Sequence, residues 1–160
     1  MELWELTARE SIRDLVIRYN ANGDSGRFAQ VLELFTERAV FDVPGTRCDG
    51  RQEISRMLTD TQSMIKKIDA NGPPRSLRHY TATHQIDVLD ESHAKGRCYY
   101  SVLMPQGLDH WGRYTDDYEC CDGRWLFSYR KVTVDGYVAG GMGAAGMGAA
   151  EAATTRSLKG

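Results

Sequence analysis

The chain has 160 residues, 41% of them hydrophobic and 26% charged, which is the balance of a single globular domain. The net charge of −2 includes no long run of one sign, so neither nucleic acid nor an anionic membrane is an expected partner. No apolar run approaches the roughly 20 residues that span a bilayer, and the acidic segment 1–10 lacks the pattern of a signal peptide. These features indicate a soluble protein, and we expect a cytoplasmic location.

The N-terminal part of the chain is predicted to form two helices. Thr7 and Glu10 have the spacing of a capping box, and one helical face follows at Ile12, Leu15, Val16 and Tyr19. The segment 22–26 (NGDSG) ends this helix. The same apolar spacing over 28–37 predicts a second helix.

A short strand over 39–43 comes next and stops at Pro44 and Gly45. Helical spacing returns over 51–68, and the breaker DANGPP ends it. Four strands separated by short polar turns are then predicted over 76–90, 95–104, 110–120 and 125–134. The turn at Asp122 and Gly123 is a strong hairpin signal. Helices followed by a run of strands predict an α+β fold, with the helices on one face of a curved sheet.

The last 21 residues differ in composition from the rest of the chain. From Gly140 the sequence is GGMGAAGMGAAEAATTRSLKG, which is too rich in glycine and alanine to bury a core. We therefore predict a domain over residues 1–139 and a tail over residues 140–160. The tail is expected to be either mobile or ordered only by docking.

The four cysteines give no sign of a metal or redox site. They form no CxxC pair and no Cys/His metal spacing, so we expect reduced thiols and no bound metal. No glycine-rich nucleotide pattern stands between a strand and a helix, so we expect no cofactor. The cysteines are Cys48, Cys98, Cys120 and Cys121.

Several segments together resemble one known family. They are Tyr19 with Asp24, LFTERAVFDVPG at 34–45, RHYTATHQI at 78–86 and GRYTDDYECCDGRWLFSYRKV at 112–132. Over residues 5–135 the chain resembles the SnoaL-like branch of the nuclear-transport-factor-2-like superfamily, which includes scytalone dehydratase, bile acid 7α-dehydratase, hexachlorocyclohexane dehydrochlorinase and polyketide cyclases. The resemblance implies a cone-shaped α+β barrel, in which a strongly bent mixed sheet wraps around the N-terminal helices and an apolar pocket lies at the open end.

The resemblance also implies a catalytic pair. In dehydratase-like members an aspartate after the first helix pairs with a histidine early on the first long strand, and Asp24 and His79 occupy these positions here. An imidazole suits a general base because its ordinary pKa of about 6.5 leaves it neutral at cytoplasmic pH, and a carboxylate behind it fixes the tautomer. Tyr19 matches a tyrosine of several dehydratases, and we expect it to donate a hydrogen bond to a substrate oxygen. The alternative is an ordinary loop aspartate and an ordinary strand histidine.

Strand alternation conflicts with an inward position of His79. His84 lies five residues later, so perfect alternation would put the two histidines on opposite faces. Ile86 and Val88 share the parity of His84, which would leave His79 on the polar face. Either a β-bulge intervenes, as is common beside active sites, or the inward position is wrong. We expect His84 to be structural.

The strand that begins at His110 supplies further candidates. Gly112 and Tyr114 share the parity of His110, and a glycine there could leave room for a ligand. His110 is therefore a candidate second donor that protonates a leaving hydroxyl; the alternative is a solvated histidine after a turn. Substrate-binding wall residues are expected at Phe41, Val43, Met57, Leu58, Met104 and Tyr114, although the same residues would serve any core.

These observations predict a cofactor-independent lyase of the dehydratase type that acts on a hydrophobic small molecule. His79 would be the general base, Asp24 its partner, and Tyr19 and His110 the donors. An isomerase or a polyketide-type cyclase with the same dyad is one alternative, and a non-catalytic small-molecule-binding module is another. Open sheet faces of this fold usually pair, so we expect a homo-oligomer, dimer or trimer. The aromatic residues proposed for that contact are Trp111, Trp125 and Phe127.

Overall fold

A computed structural model describes residues 1–69 and 76–142. The described helices are α1 (Leu3–Asp24), α2 (Phe28–Leu32) and α3 (Arg51–Asp69). The described strands are β1 (Phe35–Val43), β2 (Thr46–Asp49), β3 (Arg78–Val88), β4 (His93–Met104), β5 (Gly107–Cys121) and β6 (Arg124–Tyr137). None of the described helices is long and apolar enough to cross a bilayer.

The strands form one mixed sheet in the order β2-β1-β6-β5-β4-β3. Strands β3 to β6 are consecutive and antiparallel, as predicted, and β1 joins β6 in parallel. The sheet is not closed, because β2 and β3 remain as edges. Helix α1 packs against β3 and β6, and α3 packs against β1 and β2. The predicted α+β class, a bent mixed sheet around the N-terminal helices, is confirmed.

Helix α1 fills the hollow of the sheet with the face that the sequence predicted. Ile12, Leu15 and Val16 are each at most 4% exposed. They pack with Phe35 of β1 and Phe127 of β6 into one continuous core. Burying each such side chain contributes about 1.5–3 kcal/mol, so this helix is held by packing rather than by its own caps.

The predicted capping box is wrong. Helix α1 begins at Leu3, with Glu2 as an N-cap residue whose side chain makes no capping hydrogen bond. Thr7 lies inside the helix, where its hydroxyl donates to the Leu3 carbonyl at 2.9 Å. A threonine in a helix interior commonly makes this bond to the carbonyl four residues back. Leu3, Glu5 and Leu6 are good helix formers, which favours a helix that starts upstream of Thr7.

The predicted second helix is too long, because Phe35 belongs to the sheet. Helix α2 ends at Leu32, and Phe35 begins β1, where it is paired with Phe127 of β6. The Phe127 backbone N–H donates to the Leu34 carbonyl at 2.9 Å and fixes this entry into the sheet. The apolar spacing at 28–35 therefore reflected two different elements that face the same core.

Two turns bear on the predicted strands: one confirms a predicted hairpin, and the other leads into a strand that was not predicted. Asp122 and Gly123 have φ values of 49° and 75°, so the predicted β5–β6 hairpin is confirmed. Gly45, with φ of 81°, turns the chain into β2, a four-residue strand that was not predicted. The predicted tail lies outside the described residues from position 143 onward.

Candidate active site

The end of helix α1 holds the start of strand β3 through one carboxylate. Oδ2 of Asp24 accepts the backbone N–H of His79 at 2.9 Å, and Oδ1 lies 2.5 Å from Nδ1 of the same residue. A carboxylate accepts hydrogen bonds, so Nδ1 is the donor in this contact, and in the neutral form of the ring the lone pair lies on Nε2. No described residue is hydrogen-bonded to Nε2. The ring is thus held in one orientation with its basic nitrogen available.

A β-bulge brings both histidines of β3 to the inner side of the sheet. The β3–β4 register shifts between Ala82 and Gln85, and Thr83 has a left-handed φ of 52°. Beyond the shift, Nε2 of His84 lies 3.3 Å from the hydroxyl of Tyr118, a core residue. Burial lowers the pKa of His84, which favours a neutral ring. The conflict between strand alternation and an inward His79 is thus resolved by a β-bulge.

His79 borders a cavity of about 330 Å³ between α1, α3, β1 and the start of β3. This volume is at the lower end for small-molecule sites. Tyr19 also lines the cavity, and so do four of the expected wall residues: Phe41, Val43, Met57 and Leu58. Lining residues that sequence reasoning missed include Asn20, Phe28, Val31, Ile65, Leu77 and Met142.

Two expected wall residues, Met104 and Tyr114, are not among the cavity lining. Tyr114 is 2% exposed and stacks on Tyr100 with ring centroids 4.6 Å apart. Its hydroxyl donates to Oδ1 of Asn20 at 3.1 Å, so Tyr114 holds the side chain of Asn20, which lines the cavity. Met104 ends β4 and packs against the edge of the core instead.

Sequence reasoning missed a buried ion pair beneath Tyr19. Arg130 is fully buried, and its Nε and Nη2 each donate to the Asp116 carboxylate at 2.8 Å. The guanidinium lies 4.2 Å from the ring centroids of Tyr19 and Tyr114 and 4.0 Å from that of Phe127. The alternation of β5 places Asp116 on the buried face, but a wholly buried arginine is too rare to expect from sequence.

Tyr19 remains a hydrogen-bond donor in this setting. Burial raises the pKa of its hydroxyl, and the positive charge of Arg130 offsets part of that effect. The hydroxyl is therefore protonated at neutral pH. The ring is held edge-on by Phe35, Phe41, Tyr114 and Phe127, with centroid distances of 5.7–6.3 Å.

A second histidine–aspartate pair lies beside the cavity. Nδ1 of His110 is 2.7 Å from Oδ2 of Asp109, a fully buried residue whose Oδ1 accepts the backbone N–H of Met142 at 3.0 Å. The Tyr100 ring stands between the two histidines, with its centroid 6.2 Å from that of His79 and 6.0 Å from that of His110. His110 is not among the residues that line the cavity.

Gly112 makes room for protein rather than for a ligand. A Cβ atom at this position would lie 1.8 Å from the Thr133 carbonyl oxygen and 2.9 Å from the Tyr100 hydroxyl. The expectation that this glycine opens space for a substrate is therefore wrong. Its role is to let β6 approach β5 where their register shifts between Trp111 and Gly112.

The bent mixed sheet, the helix inside it and the apolar cavity define a protein of the nuclear-transport-factor-2-like superfamily. A family model described as the SnoaL-like domain matches residues 4–131, and the chain belongs to this family. No functionally curated protein matches the chain significantly.

Solved structures of the same fold cover most of the chain. A protein provisionally named scytalone dehydratase from Novosphingobium aromaticivorans is 19% identical, with a TM-score of 0.73 over 86% of this chain and 91% of that one. LinA is 18% identical, with a TM-score of 0.70 over 86% and 94%. The beta subunit of a provisionally named aromatic-ring-hydroxylating dioxygenase, also from N. aromaticivorans, is 18% identical, with a TM-score of 0.67 over 84% and 93%. At these identities the similarity shows the fold.

Proposed function

We propose that the protein is a cofactor-independent lyase of the dehydratase type. It removes water or a similar leaving group from a hydrophobic small molecule. The observation that supports this most directly is the 2.5 Å contact between Nδ1 of His79 and Oδ1 of Asp24, on a histidine that also borders the apolar cavity. In a SnoaL-like protein whose structural neighbours include a provisionally named scytalone dehydratase, this geometry favours a base over a passive wall residue.

In the proposed reaction, Nε2 of His79 removes a proton from the carbon next to a substrate carbonyl. Asp24 stabilises the imidazolium that forms. The Tyr19 hydroxyl donates a hydrogen bond to the carbonyl oxygen, where negative charge develops. The carbon–oxygen bond to the leaving hydroxyl then breaks, and the imidazolium proton joins this hydroxyl to form water. The base is neutral again at the end of the cycle.

The apolar lining supports both the choice of substrate and the chemistry. Phe41, Val43, Met57 and Leu58 offer no charge and few hydrogen bonds, so they favour a hydrophobic body. On the cavity side of the His79 ring, the same lining keeps water away and so strengthens electrostatic interactions with the substrate. The role of His110 as a second donor has less support, because Tyr100 separates it from His79.

We further propose that the protein is a homo-oligomer in which the outer face of the sheet is shared. Tyr80 and Tyr99 on this face are 57% and 55% exposed, and Trp111 is 38% exposed. Ser101 of β4 is paired with Tyr80 on one side and with Trp111 on the other, so these residues form a contiguous surface. Phe127, in contrast, is fully buried in the core, and its proposed place in the contact is wrong.

The test is turnover of hydrophobic β-hydroxy ketones and β-hydroxy thioesters, followed by the absorbance of the conjugated product. His79→Ala is expected to lower kcat by about 10²–10⁴-fold, which is the usual contribution of a general base. Asp24→Asn is expected to lower kcat less, because it disturbs the tautomer without removing the ring. His93→Ala is the matched control, because His93 pairs with Asp90 at 3.0 Å on the surface.

The same experiment separates the alternatives. If the substrate rearranges without losing water, and does so only with His79 present, the protein is an isomerase or cyclase that uses the same dyad. If His79→Ala turns over every substrate as fast as wild type, the assignment of the base is contradicted. Binding of the compounds without any turnover would favour a non-catalytic module.

A further inference from the structure

A second opening adjoins the proposed dyad. A cleft of about 400 Å³ lies between the end of α1 and the start of β3, and its lining includes Asp24, Arg27, Arg78 and Thr81. Asn20 and His79 border this cleft as well as the apolar cavity. His79 therefore stands where two compartments of different character meet.

The cleft differs from the apolar cavity in charge. Its lining includes two arginines and one carboxylate, and that carboxylate already accepts two hydrogen bonds from His79. Within the part of the chain that the structure describes, neither arginine is in an ion pair. Arg27 donates from Nε to Oδ1 of Asn22 at 2.8 Å and from Nη2 to the Ala21 carbonyl at 3.4 Å. Nη1 of Arg78 donates to the Leu77 carbonyl at 2.7 Å.

These neutral contacts hold the two arginines without cancelling their charge. Arg9, Arg18 and Arg113, by comparison, each pair with a nearby carboxylate. A guanidinium offers several N–H groups in one plane, so Arg27 and Arg78 each retain donors that a planar anion can use.

We infer that this cleft holds an anionic group of the substrate, a carboxylate, while the hydrophobic body occupies the apolar cavity and the reacting carbon lies at His79. The inference builds on the proposed function and narrows its substrate class to hydrophobic carboxylic acids. Guanidinium groups bind carboxylates through paired, charge-assisted hydrogen bonds, which gives orientation as well as affinity. An acid held in this way is fixed at both ends, with His79 between them.

Two probes that differ only in charge test the inference. 1-Naphthylacetate and 1-naphthylacetamide share one aromatic body, and their affinities are measured by isothermal titration calorimetry at low salt. The wild-type protein is expected to bind the carboxylate about tenfold more tightly than the amide, as two partly exposed charge contacts allow. The preference should shrink as salt is added, because both arginines are exposed.

The double variant Arg27→Gln/Arg78→Gln is expected to lose the preference while keeping its affinity for the amide. The matched control is Arg38→Gln/Arg97→Gln, which removes the same charge from exposed positions that line neither compartment. This control is expected to keep the preference. Circular dichroism of all variants verifies that they fold.

The inference would be overturned by equal affinity of the wild type for both probes, by no binding of either probe, or by a preference that survives in Arg27→Gln/Arg78→Gln. Loss of the preference in the control as well would also overturn it, since net charge alone would then explain the effect. Failure of the catalytic proposal looks different. In that case His79→Ala retains turnover, whatever the probes show.

Discussion

Arg130 and Asp116 form the charged centre of an otherwise aromatic core. Both side chains are fully buried, and Tyr118 adds a third hydrogen bond to Asp116 at 2.9 Å. Within the described residues, Nη1 of Arg130 is the only buried side-chain nitrogen or oxygen without a hydrogen-bond partner. Removing a charge from water is unfavourable, so this arginine depends on its carboxylate and on the three aromatic faces around it.

Asp116→Ala is therefore expected to lower the free energy of unfolding by about 3–5 kcal/mol, because it leaves a buried guanidinium without its counter-charge. Urea denaturation measures the loss. Asp135→Ala is the matched control, because Asp135 also accepts from Nε and Nη2 of one arginine, Arg113, at 3.0–3.1 Å, but near the surface. That exposed pair should contribute about 0–1 kcal/mol. Equal losses in the two variants would show that the buried pair has no special role.

At the scale of elements, the pairing of β5 with β6 requires a residue without a side chain where the two backbones come closest. Gly112 lies at a register shift between β5 and β6, where the Thr133 carbonyl occupies the space of a side chain. Gly23, in helix α1, has no neighbouring atom within 4 Å of an added Cβ. The two glycines therefore make a controlled comparison.

Gly112→Ala is expected to destabilise the protein by about 1–3 kcal/mol or more, because the new methyl group meets backbone that cannot rotate away. Gly23→Ala should leave stability unchanged or raise it by up to about 1 kcal/mol, because alanine favours a helix. Thermal unfolding of the two variants provides the comparison. If Gly112→Ala is as stable as wild type, the close approach of Thr133 is not a constraint.

Local patterns predicted most of these elements and failed where long-range pairing decides. The spacing of Ile12, Leu15 and Val16 predicted α1 because one helical stripe is all that the core requires. The prediction that the second helix includes Phe35 was wrong. An apolar residue seven positions after Phe28 fits a strand as well as a helix, and only the pairing with β6 distinguishes the two. Strand β2 was missed because four residues carry too little pattern, and its partner β1 defines it.

At the scale of the whole molecule, the candidate site depends on contacts that the sequence does not encode locally. Asp24 and His79 are 55 positions apart, and only resemblance to a family suggested that they meet. Strand alternation alone placed His79 on the outer face, which is wrong, because a bulge at Thr83 cannot be predicted from residue types. Asn20 was not predicted as a lining residue although it adjoins Tyr19, because no sequence pattern indicated the polar cleft next to the apolar cavity.

The outer face of the sheet leads to a prediction about assembly. We expect the 18.0 kDa chain to sediment as a dimer or trimer, and Tyr80→Glu/Tyr99→Glu to shift it to monomer, because two buried charges would face each other across the contact. Trp4→Glu is the control, since Trp4 is 43% exposed on α1, away from that face. A wild-type monomer, or an oligomer that tolerates the double variant, would contradict this assignment.

The central claim is that His79, held by Asp24, removes a proton from carbon, and hydrogen–deuterium exchange tests it without knowledge of the natural substrate. 2-Tetralone is a hydrophobic ketone with acidic C–H groups, and their exchange in D₂O is followed by proton NMR. We expect wild type and His93→Ala to accelerate exchange equally, and His79→Ala to lose about 10²-fold or more of that acceleration. Exchange by His79→Ala at the wild-type rate would contradict the account.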